Sequence, residues 1–134
     1  MKMIACLTFI ACLAAGCSRS DKALHTLLSG ADSVAINYFK GNGLMDTVVA
    51  IKIIRNPEEV QQLAAFISMD VRRQNKTCGY DGSVHFFKNN MVLQDVYYRV
   101  NDAGCMFFWL TLNGRAMQCR LDEGARQLLE KQRQ

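Results

Sequence analysis

The sequence predicts an α+β domain over residues 21–134: a β-hairpin, a helix, a four-stranded antiparallel meander and a C-terminal helix, with the helices on one face of the sheet. Three observations carry that prediction. Residues 82–121 are short runs of alternating apolar and polar side chains, broken at Asn89-Asn90, Asn101 to Gly104 and Asn113-Gly114, the pattern of sequential hairpins. Asn-Gly between alternating runs is the strongest of these turn signals. Behind Asn56-Pro57 and again behind Asp122, apolar residues recur instead at helical spacing.

In chain order, Asp21 precedes Leu24, Leu27 and Leu28, and Gly30 follows, so residues 21–29 read as a short capped helix. Val34, Ile36 and Tyr38 alternate, Gly41-Asn42-Gly43 makes a turn, and a β-branched run continues to Ile54, giving a hairpin over residues 33–54. Asn56 supplies a capping side chain, Pro57 the first helical position, and Glu58 and Glu59 negative charge where the helix dipole favours it. Val60, Leu63, Ala64, Ile67 and Val71 then lie on one helical face. Arg72, Arg73 and Lys76 read as cations at the C-terminus of that helix, with lipid head groups as an alternative partner. Tyr80-Asp81-Gly82 reads as a turn, Asp81 capping its own backbone and Gly82 taking an unusual dihedral. Asp122 caps the last helix, with Ala125, Leu128 and Leu129 inward, while Gly124 weakens its first turn.

Turn geometry sets register, and register sets faces. A two-residue Asn113-Gly114 turn pairs Leu112 with Arg115, Leu110 with Met117 and Phe108 with Cys119, an apolar face assigned to the core. The same logic through Asn89-Asn90 adds Val84, Phe86 and Leu93, with Asp95 and Arg99 as polar exceptions. His85, Phe87, Tyr98, Phe107 and Trp109 then share the opposite face with Gln94, Val96, Thr111, Gln118 and Arg120. Aromatics among amides and guanidinium groups suit a recognition surface. The other reading is a second small core covered by a loop or by the first hairpin.

The first twenty residues concern location. Lys2 precedes an apolar segment, Ile4 to Ala15, of twelve residues, against the roughly 20 that a spanning helix needs. A cationic start, a short apolar centre and small residues at the end are the parts of a secretory signal. Leu13-Ala14-Ala15-Gly16-Cys17 resembles the lipobox of bacterial lipoproteins. That resemblance implies a signal peptide over residues 1–16, a diacylglycerol thioether on Cys17, and residues 17–20 as a short tether to a single domain. Two or three acyl chains anchor stably where one is marginal. Ser18 after the cysteine implies, by analogy with sorting rules, the outer membrane, on its periplasmic face.

Removal of residues 1–16 leaves 118 of the 134 residues, one domain's worth, with fifteen basic and twelve acidic side chains spread along the chain. No basic block marks a nucleic-acid footprint. Cys78, Cys105 and Cys119 remain in an oxidising compartment, enough for one bridge and one free thiol. Cys105 and Cys119 fall on opposite faces three pairs apart, so Cys78–Cys105 is the expected bridge, with residues 78–80 curling over the sheet end. His25 and His85 are the only histidines and no CxxC pair exists, so neither metal nor cofactor is expected. No catalytic motif is legible; His85 with Asp81, Tyr80 and Arg99 is the remaining acid-base candidate. The expectation is therefore a non-enzymatic, membrane-anchored envelope lipoprotein binding a protein, peptide or glycan. A structural subunit of an envelope complex, or a periplasmic enzyme using His85, are the alternatives.

Overall fold

The computed structural model describes residues 21–41 and 44–134. The signal segment, the lipobox with Cys17, and Asn42-Gly43 of the first predicted turn lie outside the described residues. The fold is α+β as expected, with helices α1 (Lys22–Ser29), α2 (Pro57–Ile67) and α3 (Glu123–Arg133). Each begins on the cap that the sequence offers. The Asp21 carboxylate accepts from the Leu24 N–H at 2.9 Å, the Asn56 side chain from the Glu58 N–H at 2.9 Å, and Asp122 from the Ala125 N–H at 2.9 Å. Such a cap contributes about 1 kcal/mol.

The strands are β1 (Ser33–Gly41), β2 (Leu44–Ile54), β3 (Val71–Arg73), β4 (Gly82–Lys88), β5 (Met91–Arg99), β6 (Phe107–Leu112) and β7 (Arg115–Arg120). They form one antiparallel sheet of seven strands in the order β2-β1-β4-β5-β6-β7-β3. The hairpin and meander supply six; β3 is the addition. Arg72 and Arg73, expected at a helix C-terminus, belong to it. Helix α2 stops at Ile67, Asp70 turns the chain with a φ of 52°, and Val71–Arg73 pair with Cys119–Met117 as the far edge. A three-residue charged edge strand carries too little periodicity to be read.

α2 therefore carries the chain under one face of the sheet, from the β2 edge to the β3 edge. Residues 74–81 return across the other face to the sheet centre. The helix-covered face is the main core, where Leu24, Leu28, Leu63, Ile67, Phe86 and Phe108 are fully buried. Tyr38 joins it, its hydroxyl donating to the Leu129 carbonyl at 2.6 Å, and burial pushes that phenol up to about 12. Among the described residues no helix is long and apolar enough to cross a membrane.

Register follows the turns, with one exception that matters. Asn113 (φ 51°) and Gly114 (φ 75°) both take positive dihedrals, as a type I′ turn requires, and Leu112↔Arg115, Leu110↔Met117 and Phe108↔Cys119 pair as the sequence predicts. Asn89 (φ 51°) and Asn90 (φ 62°) do the same between β4 and β5. Then the ladder slips: Phe87 pairs with Val92 but Phe86 with Gln94, leaving Leu93 as an extra residue. A bulge moves every later side chain to the other face. Val96 and Tyr98 therefore lie in the core, correcting the assignment of Tyr98 to the recognition face, while Asp95, Tyr97 and Arg99 face the other way.

Two further corrections follow from where Tyr98 lies. A Cβ on Gly82 would sit 2.2 Å from the Tyr98 hydroxyl and from the Asn37 carbonyl, so glycine is required there by close approach, and its φ is not in the left-handed region. Asp81 does not cap its own turn. Its carboxylate accepts from the Val100 and Asn101 N–H groups at 2.7 and 2.9 Å, closing the end of β5.

Candidate functional site

Residues 74–80 form a strap over the face opposite the helices. Gln118, buried on β7, uses its side-chain oxygen to accept the Asn75 and Lys76 N–H groups at 3.0 and 3.4 Å. The Lys76 ammonium donates to the Gly104 carbonyl and lies 5.5 Å from the centre of the Phe107 ring. Next comes the Cys78–Cys105 disulfide, with its Cα atoms 6.5 Å apart, the bridge expected from the sequence. Tyr80 then stacks on Tyr97 at 4.8 Å and leans on Trp109 at 5.4 Å; Phe107 lies 5.8 Å from Trp109 on the other side. Trp109 is thus 2% exposed. Of the two readings of this face, the covered one holds around Trp109, and the cover is the strap. Cys119 is left as a free thiol fully buried on the other face.

Beside the strap a groove of about 540 Å³ opens, walled by Tyr80, Tyr97, Trp109, Gln94, Asp95 and Thr111. Its origin lies in the sheet. β5 and β6 pair only through Tyr97↔Trp109, Tyr98↔Phe108 and Arg99↔Phe107, although β5 begins at Met91 and β6 runs to Leu112. The bulge at Leu93 bends β5, and the two strands fork. The Gln94 amide bridges the gap, donating to the Thr111 carbonyl at 3.2 Å and to the Asp95 carbonyl at 2.9 Å. The buried indole N–H of Trp109 has no acceptor among the described residues.

Behind Asp95 stands a polar cluster. His85 lies directly across from it, Nδ1 at 2.6 Å from the carboxylate, while Nε2 lies 2.8 Å from the Ser83 hydroxyl and 3.2 Å from the Asn37 amide. With the ring proton on Nδ1, the imidazole donates to Asp95 and accepts on Nε2. The order carboxylate, imidazole, hydroxyl is that of a serine nucleophile's relay. Ser83 is only 2% exposed, however, and its hydroxyl also takes a bond from Asn37 at 3.2 Å. The open approach that a nucleophile needs is missing at Ser83, and His85 holds Asp95, which lines the groove, through the 2.6 Å contact. The partners expected for His85 lie elsewhere: Asp81 and Arg99 face each other at 3.9 Å at the strand end, and Tyr80 belongs to the strap.

Of the five residues expected to bind, Phe107 and Trp109 share one aromatic cluster. His85 stands behind the groove, Phe87 lies toward the Asn89-Asn90 turn, and Tyr98 is on the opposite face. Tyr97 escaped the sequence reading, and so did the rim position of Asp95, which was set on the core side as a polar exception. Asp95 and Arg99 as polar exceptions on an otherwise apolar face were the signal of the slipped register. Among the described residues no three His, Cys, Asp or Glu side chains converge as metal ligands. No protein-family model, curated protein or solved structure matches the chain.

Proposed function

We propose that this chain is a lipid-anchored envelope protein whose domain binds a protein, peptide or glycan in the groove beside the strap, without transforming it. One observation carries the binding assignment: β5 and β6 part beyond Tyr97↔Trp109 and leave a groove of about 540 Å³ walled by Tyr80, Tyr97 and Trp109. The aromatic rings and the rim carboxylate around it supply contact area and polarity. The lipobox at Leu13–Cys17 supports the anchor and, with Ser18, the outer membrane as its place.

Trp109 is the single tryptophan of the chain, so its emission reports on the groove alone. Envelope peptides and cell-wall saccharides titrated against the full chain should shift that emission saturably, and Tyr97→Ala should weaken the response at least tenfold while cooperative thermal unfolding shows the domain still folded. A shift that survives Tyr97→Ala unchanged would place binding elsewhere. Mass spectrometry of the chain from its native host should find Cys17 diacylated and residues 1–16 gone.

A second reading, a structural subunit of an envelope complex, is favoured by the β2 edge. Val48, Val49, Ile51 and Ile53 are 44–63% exposed along an edge strand of eleven residues. Long apolar edges are pairing sites. Ile51→Lys should strip a fixed-stoichiometry partner from the detergent-solubilised protein; retention of that partner would dismiss this reading.

A further inference from the structure

This inference rests on the groove reading and names its ligand. We infer that the fork between β5 and β6 receives an extended peptide, which completes the sheet through backbone hydrogen bonds. Both walls of the groove are consecutive strand residues: Val92 to Asp95 on β5, and Trp109 to Thr111 on β6. Their ladder to each other stops at Tyr97↔Trp109, so beyond that pair the facing backbone edges no longer pair with each other, and the Thr111 and Asp95 carbonyls take the Gln94 amide instead. An exposed strand edge is the template that added strands use, with main-chain bonds giving affinity and flanking pockets giving specificity.

The Gln94 side chain shows what fits. Its primary carboxamide, chemically a copy of a peptide amide, donates to the Thr111 carbonyl at 3.2 Å, the place of a neighbouring strand's N–H. A peptide entering the fork displaces that amide and supplies a true backbone donor. Tyr80 and Tyr97 flank the path. Among the described residues that wall the groove Asp95 is the one acidic or basic side chain, so the fitting segment is uncharged or basic rather than acidic. The unpaired run of β5 accommodates about three to five residues at roughly 3.4 Å each.

The test uses the full chain in detergent and Trp109 emission. The probes are a random pentapeptide library with blocked ends, the same library with every backbone nitrogen methylated, and a mixture of uncharged oligosaccharides. The inference expects a saturable shift with the first library, at least tenfold weaker with the methylated one, and none with the saccharides. Gln94→Leu, which frees the Thr111 carbonyl, should tighten peptide binding severalfold. Equal response to both libraries overturns the backbone inference and leaves the groove reading standing, as does a response to saccharides alone. Silence with all three probes overturns both. Weaker peptide binding by a folded Gln94→Leu variant counts against the displacement of that amide and overturns the inference as drawn.

Discussion

The two faces of this sheet are buried by opposite means. On one, three capped helices lay down apolar stripes, and residues such as Phe86, Phe108 and Ile67 reach zero exposure by packing against many neighbours. On the other, seven residues without regular structure hold down Trp109 through a few fixed points: the Gln118 side chain, the Cys78–Cys105 disulfide and the Tyr80 ring. Burial spread over many contacts degrades gradually when one is lost. Burial that hangs on a few points opens when one is cut, and this is the face that carries the groove.

Phe108 and Trp109 are adjacent on β6 and point to opposite faces, so they sharpen the comparison most. Phe108→Ala should lose about 4 kcal/mol in denaturant titration, the usual range for a buried phenylalanine whose surroundings cannot collapse. Trp109→Ala removes a larger side chain but should lose less, about 2–3 kcal/mol, because the strap can settle into the space and the unpaired indole N–H goes with it. An equal or greater loss at Trp109 would show the strap to be as rigid as the helices.

Cutting the disulfide tests the fixed points directly. Its partners are 27 residues apart, and closing a loop of that length restricts the unfolded chain by about 3–4 kcal/mol. Cys105→Ser should lose about that much in global stability, and amide exchange should rise first in residues 74–80. Uniform acceleration across the sheet would mean that the strap is no separate unit. Gln118→Met, a milder cut, leaves the Asn75 and Lys76 N–H groups without their acceptor and should cost about 1–2 kcal/mol. Its signature is looser exchange at those two amides while the Leu63 and Phe108 amides keep their protection.

The same contrast explains what could be read from the sequence. The helix-covered face announces itself through local rules: Asn56-Pro57 and Asp122 start helices, Leu63, Ala64 and Ile67 repeat at helical spacing, and Asn113-Gly114 fixes a register that the structure reproduces. The strapped face depends on non-local events. Nothing in Val92-Leu93-Gln94 marks a bulge, yet that one extra residue sends Tyr98 to the core, brings Tyr97 under Tyr80 and opens the fork. β3 is three residues long, and its identity as a strand comes from the edge of β7 waiting for it. The Cys78–Cys105 bridge was legible because face parity, counted from the Asn113-Gly114 turn, excluded Cys105 with Cys119, and the slip at Leu93 leaves the register of that turn untouched.

Alkaline titration separates the faces by charge rather than by packing. On the helix-covered face, burial pushes the Cys119 thiol from 9.0 up to about 12, with Asp21 and Asp70 adding to the rise. It pushes Tyr38 from 10.0 to about 12 and raises Tyr98 further. The folded chain thus keeps protons that the unfolded chain releases. The stability that these groups contribute is fully present below pH 9 and is lost as pH climbs toward 12. Cys119 acts first of the three, its ordinary value of 9.0 lying below the tyrosines' 10.0, with a slope of at most about 1.4 kcal/mol per pH unit. Cys119→Ala should therefore start lower, from the small cavity it leaves, yet decline less steeply than the parent chain between pH 9.0 and 10.0. Parallel decline in the two proteins would mean that the thiol reaches water in the folded state, and that the helix-covered face is the less tightly closed of the pair.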